Sequence, residues 1–505
     1  MYNNLLLPDG KYLGDVISFL PANKIIYKYL TGCGATHLEL KCNRWSILIE
    51  PYIPVILGKK LMEVTDADGN KILVDNPNVL AVHGDISKLK IERYLTTKRK
   101  KYKIVSTPEG LKKIIEVCRE LGVNVYKKFF LLVDECEKLI QDVDYREGIV
   151  EVMQEFFNFE NRSFISATPI APTDPRFEAN GFEDFNIWPE TKTKLNIDIY
   201  TTNNIASTIK DYFNINQAEH YIIFINSTDR IASIINFLNI GDDSQVFCAK
   251  ESVDKLKAND IVNAHQYWDL AKFKKYNFFT SRFFTAFDLK VSCKPNVLIV
   301  SDVVIVKHSA LDPNTDIIQI AGRARNGINH LAHISNWDVS LKSESETEVR
   351  AYIRGLQDGY NGIKQLRDQC SNNQNTGTYF VLNEALEHST FDKYINKTTD
   401  EICSFMVDNK VHTNRVNGFY KLAQNLIDAY EATDRFIVNP IPKRYNIEDK
   451  DLDKLDKGLS GAKTMEYICE LFTIHFKEES ENPFTLNVNH ALHNLIRTHQ
   501  QLYRY

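Results

Sequence analysis

The sequence predicts an α/β fold in which two parallel-sheet domains in tandem are followed by a mainly helical C-terminal domain. The chain has 505 residues, which corresponds to about three domains of common size. Short apolar runs alternate with longer helical or polar stretches in two successive series, a pattern typical of parallel sheets with crossover helices. Beyond about residue 335 the pattern changes to long amphipathic segments, which indicate helices.

Composition and charge narrow the class of protein. Hydrophobic residues make up 43% and charged residues 25% of the chain. Both values are close to those of globular proteins, so a disordered or fibrous chain is excluded. The formal net charge of -5 gives no overall positive field, so a nucleic acid would have to bind in a local groove.

The cysteines and the apolar runs indicate the cellular compartment in which the protein is expected. The nine cysteines form no CxxC pair and their number is odd, which argues against a zinc ribbon or a disulfide framework. The sequence shows neither a basic leader with a long apolar run nor about 18 successive apolar residues. We therefore expect a cytoplasmic protein with reduced thiols and no membrane partner.

The first domain is placed at residues 1–190 and contains five predicted strands. These are residues 24–30, 46–50, 103–106, 129–133 and 163–166. Four of the five are followed at once by a loop rich in Gly, Pro, Thr or acidic residues. Because ligands of open α/β sheets bind beyond the carboxyl ends of the strands, we expect a binding site in these loops. Residues 169–193 contain four prolines and little periodicity, so they are predicted to form a linker.

The second domain, at residues 191–335, repeats the alternating pattern. Its predicted strands are residues 196–201, 221–226, 245–248, 277–280 and 296–301, with a helix at 229–239. The third domain, at residues 336–505, is predicted to be a helical accessory domain. Its amphipathic segments are residues 346–369, 416–432, 462–475 and 490–503.

The first strand runs into a glycine-rich turn that precedes a helix-like segment. Such a turn exposes successive backbone N–H groups to a phosphate, and the helix dipole adds to the attraction. The hydroxyl of Thr36, at the end of the turn, would bind a magnesium ion. An ordinary tight turn explains the same pattern, so the turn by itself leaves both interpretations open. Its residues are Thr31, Gly32, Cys33, Gly34, Ala35 and Thr36.

The fourth strand ends in the acidic sequence Asp134-Glu135-Cys136-Glu137. A buried strand that delivers adjacent carboxylates to a sheet edge suits a metal ion and a water molecule. Asp134 would hold magnesium, and Glu135 would orient or deprotonate the attacking water. A solvated strand end or a helix N-cap is the structural alternative.

Further motifs follow in a fixed order. Residues 105–111 (Val-Ser-Thr-Pro-Glu-Gly-Leu) lie between these two motifs, residues 166–169 (Ser-Ala-Thr-Pro) lie after them, and residues 319–325 close the second domain. In motif order, spacing and strand–loop context, the chain from about residue 15 to about 335 resembles the superfamily 2 helicases and translocases of the DExD/H type. The resemblance implies two RecA-like domains, ATP and Mg²⁺ in the cleft between them, and DNA or RNA as a partner.

The resemblance also assigns roles to the matching positions. It implies that residues 31–36 form the phosphate loop and that residues 134–137 form the acidic motif. Residues 166–168 would couple the nucleotide state to domain closure. The motif that touches the nucleic-acid backbone would be Thr107, Pro108 and Glu109. The motif from which an arginine reaches the γ-phosphate would be Gln319, Gly322, Arg323 and Arg325.

The sequence departs from the family pattern at two positions. The lysine that should follow Gly34 is replaced by Ala35, which has neither charge nor hydrogen-bonding group for the phosphates and predicts weak or absent ATP hydrolysis. We put forward Lys28, at the end of the first strand, as a substitute, with an ordinary surface lysine as the alternative. Phe287 stands where the family usually has glycine, which puts the coupling between ATP and nucleic acid in doubt.

Two functions are therefore carried forward. The first is an ATP-dependent nucleic-acid helicase or translocase with an atypical phosphate loop. The second is a catalytically inactive helicase fold that serves as a binding or structural module in a replication, transcription or virion assembly. The basic run at residues 98–101 would touch a phosphate backbone or form a solvated loop. The C-terminal helices would bind a protein partner or grip nucleic acid.

Overall fold

Two eight-stranded sheets organise the protein, and every strand pairing within them is parallel. The computed structural model describes residues 3–65, 71–84, 86–258, 261–285, 289, 291–372, 376–396 and 401–451. Helices connect the parallel strands. The predicted α/β class with two parallel-sheet domains in tandem is confirmed.

The first sheet is built from the N-terminal part of the chain. The strands of this part are β1 (Asn4–Leu7), β2 (Lys24–Lys28), β3 (Trp45–Ile49), β4 (Leu61–Thr65), β5 (Lys71–Asp75), β6 (Val79–Val82), β7 (Lys103–Ser106), β8 (Phe129–Asp134), β9 (Asn161–Ser166) and β10 (Glu183–Pro189). The sheet order is β1-β10-β2-β9-β8-β3-β7-β6, and β4 and β5 form a separate antiparallel hairpin. Strands β7 and β8 are buried at every position, as expected where helices cover both faces of a sheet.

In the described residues of this part, eight α-helices accompany the sheet. They are α1 (Ala35–Lys41), α2 (Ile53–Lys60), α3 (Lys88–Thr96), α4 (Leu111–Glu120), α5 (Val125–Lys128), α6 (Lys138–Gln141), α7 (Glu147–Phe156) and α8 (Pro175–Ala179). Alternate residues of β8 face separate apolar cores: Leu131 and Val133 belong to one core, Phe130 and Leu132 to the other. This period of two is the geometry of a strand covered on both sides.

The prediction of a linker at residues 169–193 is wrong for most of this segment. Helix α8 occupies part of it, and β10 enters the sheet between β1 and β2. The prolines are compatible with this structure because Pro175 is the first residue of α8 and Pro189 ends β10, positions at which a missing N–H costs little. Ile187 of β10 is buried in the core, so the segment contributes to the first domain.

The second sheet follows the same plan. Its strands are β11 (Leu195–Thr202), β12 (Tyr221–Ile225), β13 (Ser244–Phe247), β14 (Ala264–His265), β15 (Tyr276–Phe279), β16 (Asn296–Ser301) and β17 (His330–Ser335), together with one strand from the C-terminal region. Its helices are α9 (Ile205–Ile215), α10 (Thr228–Leu238), α11 (Lys250–Ala258) and α12 (Asp316–Ala321). All five predicted strands and the predicted helix occur here.

The described part of the C-terminal region is mainly helical. It contains α13 (Glu346–Asn372), α14 (Thr376–Glu387), β18 (Ile395–Asn396), β19 (Glu401–Ile402), α15 (Ser404–Phe419), α16 (Ala423–Glu431) and β20 (Phe436–Lys443). Strands β18 and β19 pair with each other. The predicted segments 346–369 and 416–432 are helical, whereas the segments 462–475 and 490–503 lie outside the described residues.

The C-terminal region packs on both sheet domains. Strand β20 pairs along the whole of β11 and extends the second sheet. The beginning of α15 contributes Phe405 and Met406 to a core of the first domain, and its end contributes Val416 to a core of the second. Helix α15 therefore bridges the two domains.

Candidate functional site

The loop between β2 and α1, predicted to hold phosphates, has two glycines in positive-φ conformations. Gly32 and Gly34 have φ values of 73° and 85°, in the left-handed region that favours glycine. Space is restricted as well, because a Cβ at Gly32 would collide with the guanidinium of Arg325 and one at Gly34 would lie 3.3 Å from the ring of Tyr12. Both glycines are thus fixed by backbone conformation and by packing.

Two other residues of this loop have buried side chains. Cys33 and Ala35 belong to a core of the first domain. Burial raises the pKa of the Cys33 thiol, so only the backbone of this residue is suited to a phosphate. Ala35 is the first residue of α1, and its methyl group offers no replacement for the missing lysine.

The acidic motif emerges at the end of β8. Asp134 is 3% exposed and Glu135 is 6% exposed. Glu135 has a φ of 48°, an unfavourable conformation for a residue with a side chain. Backbone strain of this kind is concentrated at functional sites, where the surrounding structure holds it in place.

Lys28 enters the site from β2. Its Nζ lies 2.8 Å from Asp134 Oδ1 and 3.8 Å from Glu135 Oε1. Burial opposes the charged form of Lys28, but the carboxylates of Asp134 and Glu135 outweigh it and raise its pKa. Burial likewise opposes ionisation of Asp134, and the ammonium groups beside it hold its pKa well below the usual range. Lys28 is therefore a buried partner of the acidic motif and not a surface lysine.

A second lysine in the site, Lys59 near the end of α2, was missed by the sequence analysis. Its Nζ donates to Thr36 Oγ1 and to Asp134 Oδ2, each at 3.1 Å, and also to Glu50 Oε1. Burial raises the pKa of Glu50 to about 8, although Lys59 opposes this. In the sequence, Lys59 is one of two adjacent lysines at a helix end, where solvated cations are common.

The residues predicted to hold magnesium do not fit a divalent cation in this arrangement. Thr36 Oγ1 donates to Asp134 Oδ2 at 2.6 Å, and both oxygen atoms also bond to the ammonium of Lys59. Within the residues that the structure describes, no group of three or more His, Cys, Asp or Glu side chains is placed to hold a metal ion. The expected magnesium site is thus already bridged by a lysine.

Gln319 of α12 crosses the cleft between the domains. Its Nε2 donates to Glu135 Oε2 at 2.7 Å, to Glu137 Oε1 at 3.1 Å and to Thr168 Oγ1 at 3.2 Å. Arg323 holds this amide in place, because it donates from Nη2 to Gln319 Oε1 at 2.8 Å and from Nε to the Gln319 carbonyl at 2.7 Å. Arg323 is 2% exposed, and its predicted contact with a γ-phosphate stays a prediction.

The second domain also touches the phosphate loop directly. The guanidinium of Arg325 lies against Gly32, and Gly322 lies so close to Thr31 that a Cβ at Gly322 would collide with the threonine side chain. Of the two motif arginines, Arg325 is therefore the one beside the loop predicted to hold phosphates.

The loop after β9 links the acidic residues to one another. Ser166 Oγ donates to Glu135 Oε2 at 3.1 Å, and Thr168 Oγ1 donates to Glu137 Oε1 at 3.2 Å. Burial and the neighbouring charge of Glu135 raise the pKa of Glu137 to about 8. This loop and Gln319 contact the same two carboxylates, so the arrangement of one depends on the other.

Residues 107–109 follow β7 at the same edge of the sheet as the acidic motif. Pro108 lines a small cavity with Asp134 and Glu135. Thr107 follows β7, and Glu109 Oε1 forms an ion pair with Arg146 Nη2 at 2.8 Å. Their contact with a nucleic-acid backbone stays a prediction.

Two further sequence features have mixed outcomes. Lys101, in the basic run at residues 98–101, donates to the carbonyl groups of Lys41 and Cys42 at the end of α1, so part of this run caps a helix. Phe287 lies outside the described residues, and its effect on the second domain stays a prediction.

No family model matches the chain, and no curated protein matches it. Among solved structures, the chain is similar to the Mycobacterium smegmatis helicase Lhr bound to single-stranded DNA and AMP-PNP, with 13% identity over 62% of this chain and 44% of that one, at a TM-score of 0.38. This chain therefore spans less than half the length of that helicase. It is also similar to Saccharomyces cerevisiae Dbp5 bound to RNA and ADP BeF3, with 13% identity over 63% and 79% of the two chains and a TM-score of 0.39. A DEAD box protein from Methanococcus jannaschii shows 14% identity over 63% and 86%, with a TM-score of 0.29.

The topology of the chain itself defines the fold. The strand before the phosphate loop, β2, lies beside β9, and β9 lies beside the acidic strand β8. The loops after these three parallel strands meet at one edge and face α12 of the second sheet domain. The two domains are RecA-like. The predicted pair of RecA-like domains is thereby confirmed.

One further expectation concerns membranes. In the ranges covered by the structure, no helix combines the length and apolar character needed to cross a membrane.

Proposed function

We propose that the protein binds ATP in the cleft between its RecA-like domains and acts on DNA or RNA as a helicase or translocase. The observation that supports this proposal most strongly is the convergence of three groups at one cleft. The carboxylates of Glu135 and Glu137 and the Gln319–Arg323 pair meet there in one hydrogen-bonded arrangement. Thr36, at the end of the predicted phosphate loop, donates to the neighbouring Asp134. Arg325 lies against the loop from the opposite domain.

Each group then has a chemical task. The backbone N–H groups at Gly32–Gly34 and the start of α1 would hold the phosphates. Glu135 would orient the attacking water, and Arg325 would neutralise the charge that develops on the γ-phosphate. Through its hydrogen bond to Glu135, Gln319 would couple a movement of this carboxylate to the second domain. The ammonium of Lys59, which already bridges Thr36 and Asp134, would supply the positive charge at this position.

An ATPase assay on the full chain tests this proposal. Turnover would be measured without nucleic acid and with single-stranded and duplex DNA and RNA. We expect turnover that nucleic acid stimulates, and a loss of at least about a hundredfold in Glu135→Gln, because this substitution removes the group that orients water. Glu120→Gln, at a solvent-exposed position on α4, is the matched control and should leave turnover unchanged.

The inactive helicase fold is favoured by a different observation. Ala35 replaces the phosphate-binding lysine, and the ammonium groups of Lys28 and Lys59 already bind the carboxylate of Asp134. Saturable ATP binding without turnover under every condition would support this second function and reject the first. Turnover equal in the wild type and Glu135→Gln would also reject the assignment of catalysis to this cleft.

A further inference from the structure

We infer that the ammonium group of Lys59 serves as the resident cation of the nucleotide site, so that ATP binds without a divalent metal ion. This inference rests on the proposed nucleotide site and specifies how its charge is balanced. The ligand class is a nucleoside triphosphate free of metal. Its phosphates would be neutralised by the lysine and arginine side chains of the protein.

The contacts of Lys59 account for all its hydrogen-bonding capacity. An ammonium group has three donors and no acceptor. In this site it has three oxygen partners on three different elements: Thr36 Oγ1 at 3.1 Å, Asp134 Oδ2 at 3.1 Å, and Glu50 Oε1. Hydroxyl and carboxylate oxygens are the ligands that magnesium prefers. The ammonium thus holds the oxygen set that would otherwise receive the metal.

The charge around Asp134 argues in the same direction. Its other carboxylate oxygen, Oδ1, lies 2.8 Å from Lys28 Nζ, so two ammonium groups contact one carboxylate. A divalent cation placed between Thr36 and Asp134 would be repelled by both lysines at short range. Lys59 would have to leave the site before such an ion could enter.

Glu50 keeps Lys59 from leaving. Glu50 is fully buried, and the side chain of Lys59 is 19% exposed. Removal of the lysine would leave Glu50 Oε1 buried without its hydrogen-bond donor, which is unfavourable. Helix α2 begins three residues after Glu50 and carries Lys59 near its end, so the pair is held by one short segment of backbone. Lys59 is therefore a fixed component of the site.

The same arrangement relates to the altered phosphate loop. Ala35 cannot contact a phosphate, but the Lys59 ammonium lies 3.1 Å from the hydroxyl of Thr36, the next residue. A phosphate bound by this loop would be within reach of a cation supplied by α2. The charge lost at position 35 is thus replaced from another element.

Binding of a fluorescent ATP analogue to the full chain tests the inference, with titrations in EDTA and in excess magnesium. We expect similar affinity in both conditions for the wild type. Lys59→Ala should lose about tenfold or more in EDTA, because a positive charge beside the bound phosphates is removed, and should regain affinity when magnesium is added. Lys60→Ala is the matched control, because the neighbouring lysine pairs with the exposed Asp75 and should behave as the wild type.

The outcomes separate the inference from the proposed function. Wild-type binding that occurs in magnesium and disappears in EDTA would overturn the inference and leave the proposed function intact. Binding in neither condition would overturn the proposed function, and the inference with it. If Lys59→Ala does not fold, the double variant Lys59→Met with Glu50→Gln removes the pair without leaving a buried charge; binding in EDTA as tight as that of the wild type would then contradict the role of Lys59.

Discussion

Single residues set the geometry of the cleft, and Gln319 is the clearest case. Its amide group donates to Glu135, Glu137 and Thr168 of the opposite domain, while Arg323 occupies its carbonyl oxygen. A carboxylate at this position would accept hydrogen bonds but could not donate to the acidic pair. The amide is therefore the group that lets the two domains meet at the carboxylates.

Gln319→Glu should weaken the contact between the domains. The new carboxylate would face Glu135 and Glu137, so we expect a loss of about 1 to 3 kcal/mol in stability and a lower melting temperature in differential scanning calorimetry. Gln424→Glu is a control, because Gln424 lies at the surface of α16 and bonds only Asp428 among the contacts described for it. Equal melting temperatures of the Gln319 variant and the wild type would show that this contact does not stabilise the protein.

Sequence patterns can indicate a site residue when its signal is local, but not when its partners are distant in the sequence. Residues 31–36 and 134–137 could be found because their signal is local: a strand followed by glycines or by acids. Lys59 could not be found, because its partners Thr36 and Asp134 are brought to it only by the packing of α2 on the sheet. The place of Lys28 on β2 brings its ammonium to Asp134, and its role as a substitute for the missing loop lysine stays a prediction.

At the level of elements, α15 is the main connection between the C-terminal region and the two domains. Asn409 donates to the carbonyl groups of Ile140 and Gln141 in the first domain. In the second domain, the carboxylate of Asp312 pairs with His412 at 3.1 Å and with Arg415 at 2.6 Å. These contacts hold the pKa of Asp312 well below its usual range despite its burial.

Asp312→Asn should loosen α15 from the second domain. The neutral amide keeps the shape of the side chain but loses two charge-assisted contacts, and we expect a cost of about 1 to 2 kcal/mol. Hydrogen–deuterium exchange should then become faster at residues 404–419, while the strands of both sheets exchange as before. Asp428→Asn, at an exposed position on α16, serves as the control; unchanged exchange at α15 would contradict the bridging role.

The elements that sequence reasoning missed share a physical cause. The four prolines of residues 169–193 predict a linker where β10 lies, and Pro440 and Pro442 interrupt the strand pattern of β20. Both strands are tolerated in the sheets because Pro189 ends β10 and β20 lies at the edge of the second sheet, where N–H groups are not all required. The strands at the sheet centres could be predicted, because burial on both faces gives continuous apolar runs in the sequence.

Across the whole molecule, the described part of the C-terminal region adds buried hydrogen bonds to the second sheet. His333 of β17 illustrates this: its Nδ1 lies 2.7 Å from the hydroxyl of Tyr430 on α16, and its Nε2 lies 3.0 Å from Ser301 Oγ on β16. Burial lowers the pKa of His333 from 6.5 to about 3. The imidazole is therefore neutral in the folded protein at neutral pH.

Acid should destabilise the protein partly through this histidine. Because the folded-state pKa is depressed, the unfolded chain takes up the proton first, so the stability contributed by His333 is present above pH 6.5 and is lost as the pH falls toward 3. The slope is about 1.4 kcal/mol per pH unit at most. His333→Gln should flatten this part of the profile in urea unfolding experiments at several pH values, and a slope equal to that of the wild type would contradict the assignment.

Both sheet domains are proposed to contribute to one nucleotide site, and calorimetric titration of the full chain with ATP tests this claim. We predict one saturable site, with affinity lower by about tenfold to a hundredfold in Arg325→Ala, because the arginine of the second domain lies against the phosphate loop of the first. Arg354→Ala, at an exposed position on α13, should bind as the wild type does. Absence of saturable binding, or equal affinity in Arg325→Ala and the wild type, would contradict the claim.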